Sequence, residues 1–223
     1  MSRRNKEHLA QNNSDASVRD ALAKAALAQV AQEGWTRKAY AQGILKSGVS
    51  RGEADLLFPQ GLLDVIDWLD ALSDEAMHTR IAAEPDFMQS RMRDKVTFAI
   101  RARLEARAPY REAVKRLVAW YAMPLHAPLA ARKVMTAADA IWKAVGDRST
   151  DFSFYTRRMM LAGVLKAVTL FWIGDESTGS RATWDFLDRR MADVMRFGKT
   201  ISLLKEWSPA EIVEMVGRRI RRA

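Results

Sequence analysis

The side chains that most often carry out catalysis or bind metals are scarce in this sequence. Its three histidines are His8, His78 and His126, and none is spaced as a metal ligand with another histidine or a glutamate. The absence of cysteine excludes a thiolate nucleophile, a disulfide and a thiolate zinc site. There is no glycine-rich phosphate loop, and the carboxylates are scattered as on solvated helix faces. We therefore expect a protein that is not an enzyme and needs no metal or other cofactor.

The charge balance favours anionic partners. The chain carries 36 Lys and Arg against 27 Asp and Glu, a net charge of +9. Phospholipid headgroups and nucleic acid both fit this excess, and charge alone does not choose between them. A hydrophobic content of 48% over 223 residues is enough to build a core.

The apolar segments are too short to cross a bilayer. The longest, residues 159–173, contains Lys166 and falls short of the roughly 20 residues that a membrane-spanning helix needs. Residues 1–17 are polar and lack the apolar segment of a secretory signal. We expect no export, and only peripheral contact with a membrane.

Helical periodicity recurs along the chain without β-type alternation, so the predicted fold class is all-α. Residues 1–16 read as a disordered tail, and Ser17 as the start of the first helix, which ends at Gly34. Residues 17–60 form one unit of three helices, 61–199 a helical bundle, and 200–208 a linker before a last amphipathic helix in 209–223. The helices predicted after position 60 span residues 61–83, 91–107, 111–121, 130–145, 152–173, 180–199 and 209–222.

The first three helices resemble the helix-turn-helix of TetR-type regulators. The resemblance rests on Gly34-Trp35, Gly48-Val49-Ser50 and Phe58-Pro59, with Ser50 as the N-cap of the third helix. In DNA-binding members this helix enters the major groove. Here it carries Glu53 and Asp55, whose charges oppose binding to a polyanion. We therefore expect a scaffold, with nucleic acid not a partner, and keep a working repressor as the alternative.

A second resemblance is carried by residues 141–158, whose sequence is IWKAVGDRSTDFSFYTRR. A Trp followed by Gly-Asp-x-Ser-Thr-Asp-Phe-x-aromatic-Tyr-Thr-Arg-Arg is similar to the Coq-nine family of ubiquinone biosynthesis. Thr183-Trp184-x-Phe186-Leu187-x-x-Arg190 also resembles that family, as does the cluster of Pro124, His126 and Pro128. The likeness covers about residues 17–200.

The resemblance implies a docking surface for the demethoxyubiquinone hydroxylase, a membrane-associated di-iron enzyme. It implies the following partner contacts: Asp139, Asp151, Phe154, Tyr155 and Arg158. Phe154 stands where relatives often have Trp. Aromatic residues beside Arg are typical of interface anchors. The alternative is structural: Ser149 or Thr150 caps a helix, and Asp151 complements its dipole.

A stripe of large, soft apolar side chains follows this segment. Its members are Met160, Val164, Leu165, Val168, Phe171, Trp172, Trp184, Leu187 and Met191. Such a stripe is core by default, but Met and aromatic residues also line adaptable cavities. The family resemblance implies that the stripe binds an isoprenoid quinone intermediate or a phospholipid.

The last predicted helix is amphipathic and basic. Its apolar side holds Ile212, Val213, Val216 and Ile220, and its arginines are Arg218, Arg219, Arg221 and Arg222. This pattern predicts a helix that lies on an anionic membrane surface. An ordinary last helix packed on the core is the alternative.

Two functions from different classes follow. The first is a lipid-binding accessory protein that presents a quinone intermediate to the hydroxylase, on the inner membrane face in a bacterium or on the matrix side in mitochondrial relatives. The second is a TetR-type transcriptional regulator that responds to an apolar ligand. TetR-like folds often pair through their last helices, so we expect a homodimer in either case.

Overall fold

The computed structural model describes the backbone of residues 3–147 and 152–205, and side chains within 15–147 and 155–194 and at 196. The predicted all-α class is confirmed, since these residues form helices and no strand. The α-helices are α1 (Arg3–Glu33), α2 (Arg37–Ser47), α3 (Arg51–Leu57), α4 (Leu62–Ala83), α5 (Met92–Ala106), α6 (Arg111–Tyr121), α7 (Ala127–Ala144), α8 (Phe152–Trp172) and α9 (Arg181–Lys205). Short 3₁₀ turns span Phe87–Gln89, Ala108–Tyr110, Pro124–His126 and Thr178–Ser180.

Local capping fixes the boundaries of the first three helices. The Thr36 hydroxyl accepts a hydrogen bond from the Ala39 amide at 3.1 Å, and the Ser50 hydroxyl accepts one from the Glu53 amide at 3.2 Å. Gly48 ends α2 with φ of +75°, a conformation that favours glycine. The Ser50 cap agrees with the start of the third helix expected from the sequence.

Three boundaries differ from the sequence-based expectation. The first helix begins at Arg3 rather than Ser17, because residues 3–16 contain neither Gly nor Pro to interrupt it, which corrects the predicted disordered tail over 1–16. Helix α7 begins at Ala127 rather than position 130, since Pro128 fits a first turn whose amides need no partner. Helix α9 continues to Lys205, into the predicted linker of 200–208, because residues 200–205 likewise lack a breaker.

The helices pack around one main core, with a smaller core inside the first unit. Helix α1 packs against α2 and α6, α4 against α5 and α7, and α8 against α7 and α9. Trp35 donates its ring N–H to the Ala113 carbonyl at 3.1 Å and so ties the first unit to α6. Trp68 on α4 donates to Asp20 on α1 at 2.8 Å. These long-range bonds anchor the first unit to the bundle.

Polar contacts hold the far end of the bundle. The Asp175 carboxylate accepts hydrogen bonds from the Ser177 amide, the Thr183 amide and the Thr183 hydroxyl, at 2.8, 2.8 and 2.5 Å. Burial alone would raise the pKa of Asp175, but these hydrogen bonds outweigh burial and hold that pKa far below its ordinary value. Arg111 donates to the carbonyls of Trp172 and Asp175, at the C-terminal end of α8. These contacts fix the turn between α8 and α9.

Candidate docking surface

Helix α8 has one buried face and one exposed apolar face. At 100° per residue, Tyr155, Met159 and Leu170 fall within about 60° of one another, with Lys166 between them and Gly163 about 20° beyond Leu170. The relative exposures of the three large side chains are 65%, 66% and 46%. We call this face the α8 surface and define it by Tyr155, Met159, Gly163, Lys166 and Leu170. Of the predicted partner residues whose side chains the structure describes, Tyr155 is the one that lies on it.

Arg158 points the other way, into the protein. Its side chain is 5% exposed and sits between two carboxylates, with its Nε 2.7 Å from Asp139 and its Nη1 3.5 Å from Asp147. Its position three residues before Leu161 and seven before Leu165 puts it on the buried face of α8. The expectation that Arg158 touches a partner directly does not fit this burial. Its place is beneath the α8 surface.

Asp139 and Asp147 complete a network that joins α7 to α8. Asp139 also pairs with Lys143 at 2.7 Å, and Asp147 pairs with Arg157 at 3.0 Å. Burial alone would raise the pKa of Asp139, but hydrogen bonds and charge from Lys143 and Arg158 outweigh burial and lower that pKa below its ordinary value. The network fixes the start of α8 against the end of α7.

The turn before this network depends on one glycine. Gly146 has a φ of +87°, and the Asp147 amide donates to the Trp142 carbonyl at 2.9 Å, which ends α7. This arrangement aims the Asp147 side chain inward, where it is 5% exposed. Asp147 belongs to the pattern of residues 141–158, but the sequence alone does not indicate this role for it. The predicted partner residue Asp151 and the side chain of Phe154 lie outside the described residues.

The chain is similar to known proteins over most of its length. Residues 127–198, which contain the α8 surface and its network, match the family model COQ9. The chain is 33% identical over 192 residues to the mitochondrial ubiquinone biosynthesis protein COQ9 of Drosophila melanogaster, covering 83% of this chain and 58% of that protein. It is 28% identical over 211 residues to the mitochondrial human protein of the same name, covering 92% and 66%.

The chain resembles the COQ9 family. It spans less than two thirds of the length of the fruit-fly relative. A solved structure of a TetR transcriptional regulator from Nitrosomonas europaea superposes with a TM-score of 0.63 at 22% identity, covering 78% of this chain and 95% of that one. The predicted TetR-like fold is therefore confirmed.

The apolar stripe lies partly in the core and partly at its rim. Six of its members are buried: Val164, Leu165, Val168, Trp172, Leu187 and Met191. Met160 and Trp184 are half-buried, and Phe171, 38% exposed, stacks on Phe186 with ring centroids 4.6 Å apart. The stripe thus packs as core between α8 and α9, and its role in lipid binding stays a prediction.

Two further predicted sites can be placed only in part. On α3, the helix that would face DNA in a regulator, Glu53 and Asp55 are exposed. The predicted membrane-binding residues of 209–223 lie outside the described residues. In the described part of the chain no helix is long and apolar enough to span a membrane. Nor do three or more His, Asp or Glu side chains cluster there as a metal site would require.

Proposed function

We propose that this chain is a non-enzymatic accessory protein of ubiquinone biosynthesis, which binds an isoprenoid quinone intermediate and presents it to the demethoxyubiquinone hydroxylase at a membrane surface. Its COQ9 relatives are named for ubiquinone biosynthesis, which supports the pathway. The observation that carries the docking role is the exposed apolar α8 surface within the family-defining region. A face with Tyr and Met exposed, placed over a rigid ionic network, is typical of an interface anchor.

The docking role assigns different tasks to Tyr155 and Arg158. Tyr155 and Met159 would contact the hydroxylase and lose solvent on binding. Arg158, held by Asp139 and Asp147, would position α8 so that the two side chains are presented together. Asp151 and Phe154, predicted from the same family pattern, are proposed to extend the contact.

Cells that lack the chain provide the test of the proposed pathway. Deletion of its gene should lower ubiquinone and accumulate the demethoxy intermediate, and the unaltered gene should restore the quinone profile. Met159→Glu should fail to restore it, because a charge would be buried against the partner. Leu45→Glu, at a side chain 72% exposed on α2, is the matched control and should restore it. A normal quinone profile with Met159→Glu would count against the docking role.

Binding of the lipid is the second part of the proposal. Val168, Trp172 and Leu187 are 0–1% exposed, so an isoprenoid chain can enter between α8 and α9 only if these side chains move apart. The half-buried rim of Met160 and Trp184 would form the entrance. Native mass spectrometry of the purified chain should detect bound lipid, and hydrogen exchange in α8 and α9 should change on lipid removal. A lipid-free protein after gentle purification would contradict this part.

The membrane contact and the oligomer are proposed from the sequence pattern. The segment 209–223 would lie on an anionic surface through Ile212, Val213, Val216 and Ile220, flanked by Arg218, Arg219, Arg221 and Arg222. The membrane that this segment contacts would be the inner membrane, on its inner face, in a bacterium. This location is the bacterial counterpart of the mitochondrial location named for the relatives. A homodimer is the proposed state, and light scattering at micromolar concentration tests it.

A transcriptional regulator is the competing function, and the TetR-like fold is what favours it. The exposed Glu53 and Asp55 of α3 oppose it, because carboxylates aimed at phosphates repel them. A gel-shift assay with genomic fragments at low salt should show no sequence-selective complex. A selective complex that survives physiological salt would favour the regulator over the accessory protein.

A further inference from the structure

The segment that joins α6 to α7 exposes an apolar tip. Residues 122–128 read AMPLHAP, with His126 as the one polar side chain. Leu125 is 84% exposed and Met123 is 45% exposed, while Pro124 and Pro128 are exposed beside them. We call residues 122–128 the α6–α7 corner. Exposed large apolar side chains at a convex tip are costly in water unless something covers them.

The backbone of this corner can leave water at little cost. Its amides at Ala122, Met123 and His126 donate to the carbonyls of Val118, Trp120 and Met123, at 3.1, 3.3 and 2.9 Å. The Ala127 amide donates to the Pro124 carbonyl, and the two prolines have no N–H. Four of the five N–H groups in residues 122–128 are thus bonded, so the segment loses few hydrogen bonds on entering an apolar medium.

An aromatic base supports the tip. The rings of Trp120 and His126 stack with centroids 3.5 Å apart and an interplanar angle of 15°. Tyr121 lies beside Trp120, with centroids 5.6 Å apart, and both are half-buried. Trp and Tyr concentrate where one end of a side chain meets apolar medium and the other meets water. Aliphatic side chains thus lie at the tip of the corner, and the aromatic rings lie behind them.

The charges around the corner are cationic. Residues 111–133 contain five Lys or Arg and a single carboxylate, Glu112. Lys115 and Arg116 are 59% and 49% exposed and share Glu112, while Arg132 is exposed at the start of α7. Along α6, Arg116 lies about 10 Å behind Met123, within reach of a headgroup layer. Lys133 is already bound by Asp67 and Asp70 of α4.

We propose that the α6–α7 corner inserts into the interfacial layer of an anionic bilayer, with Leu125 and Met123 among the acyl chains and the nearby cations at the headgroups. The flanking cations argue for a lipid surface, because they match anionic headgroups on either side of the apolar residues. This contact goes beyond the proposed function. It is separate from the segment 209–223 and needs no quinone.

Vesicle flotation with the full chain tests the insertion. Vesicles of phosphatidylcholine and phosphatidylglycerol at 3:1 are compared with phosphatidylcholine alone, and neither contains quinone. Leu125→Ser should lower the partition coefficient on the anionic vesicles about tenfold, because a Leu side chain no longer enters the layer. Leu56→Ser, at a side chain equally exposed on α3, is the matched control and should change it less than twofold.

A second measurement reports where the corner lies. The chain has no cysteine, so Leu125→Cys or Leu56→Cys carries an environment-sensitive fluorophore at a single site. On anionic vesicles the probe at position 125 should shift to the blue and be quenched by lipid-borne spin labels, while the probe at position 56 should not. An unchanged partition coefficient for Leu125→Ser overturns the proposal. So does a probe at position 125 that stays in water while the protein is bound.

Discussion

Replacement of Arg158 with Met is expected to destabilise the fold. The guanidinium lies between Asp139 and Asp147, and both its own side chain and that of Asp147 are 5% exposed. Removing one partner of a buried ion pair costs about 3–5 kcal/mol. Asp139 is 29% exposed and keeps Lys143 at 2.7 Å, so we expect a smaller loss of about 2–3 kcal/mol in the free energy of unfolding. For a chain of this size that corresponds to a melting temperature lower by about 5–10 °C.

Urea denaturation of matched variants measures this loss. Arg157→Met makes the same chemical change one residue earlier, where the side chain is 47% exposed, and should cost less than about 1 kcal/mol. Combining Arg158→Met with Asp147→Asn should cost less than the sum of the two single changes, because each removes the same contact. Equal stability of Arg158→Met and the unaltered chain, or equal losses for the two arginine variants, would refute the buried network.

Two further predictions concern packing and acid stability. A Cβ on Gly43 would lie 2.6 Å from the Cα of Ala26, so Gly43→Ala should lower the unfolding free energy by about 1–3 kcal/mol. Gly52 on α3 has open space around it, so Gly52→Ala should raise the unfolding free energy by up to about 1 kcal/mol. Thermal melts that rank the two variants otherwise would contradict the α1–α2 packing. Asp175→Asn should cost about 2 kcal/mol at pH 7, because the amide binds the Ser177 and Thr183 donors less strongly than the carboxylate does. Since the folded pKa of Asp175 lies below its ordinary value of 3.8, the carboxylate's contribution to the free energy of unfolding is complete above pH 3.8 and declines as the pH falls. The difference in unfolding free energy between Asp175→Asn and the unaltered chain should therefore narrow below about pH 4 in urea melts. A difference of constant size would contradict the assignment.

The parts of the fold that the sequence predicts correctly are those set by local chemistry. Ser50 caps α3 by accepting a hydrogen bond from the amide three residues later, and Gly48 ends α2 with a positive φ. Such interactions depend on neighbours in the sequence, so they can be read from it. The start of α1 was missed because a good cap at Ser17 does not prevent a helix from continuing through residues without Gly or Pro.

The parts that could not be predicted join residues far apart in the chain. Arg158 meets Asp139 across a turn, and Lys133 on α7 meets Asp67 on α4, with α5 and α6 between them in the chain. Spacing along α8 does place Arg158 on the face of Leu161, which was a usable sign that it points inward. The partner carboxylates carry no such sign, because a charged residue near a helix end is solvated in most proteins.

Affinity for purified demethoxyubiquinone hydroxylase tests the central claim most directly. Tyr155 is 65% exposed on the α8 surface, and truncating a side chain at the centre of an interface costs about 2 kcal/mol or more. Tyr155→Ala should therefore weaken binding about 30-fold or more in calorimetry, with the melting temperature unchanged, while Leu56→Ala should bind like the unaltered chain. Equal affinity of Tyr155→Ala and the unaltered chain would contradict the account.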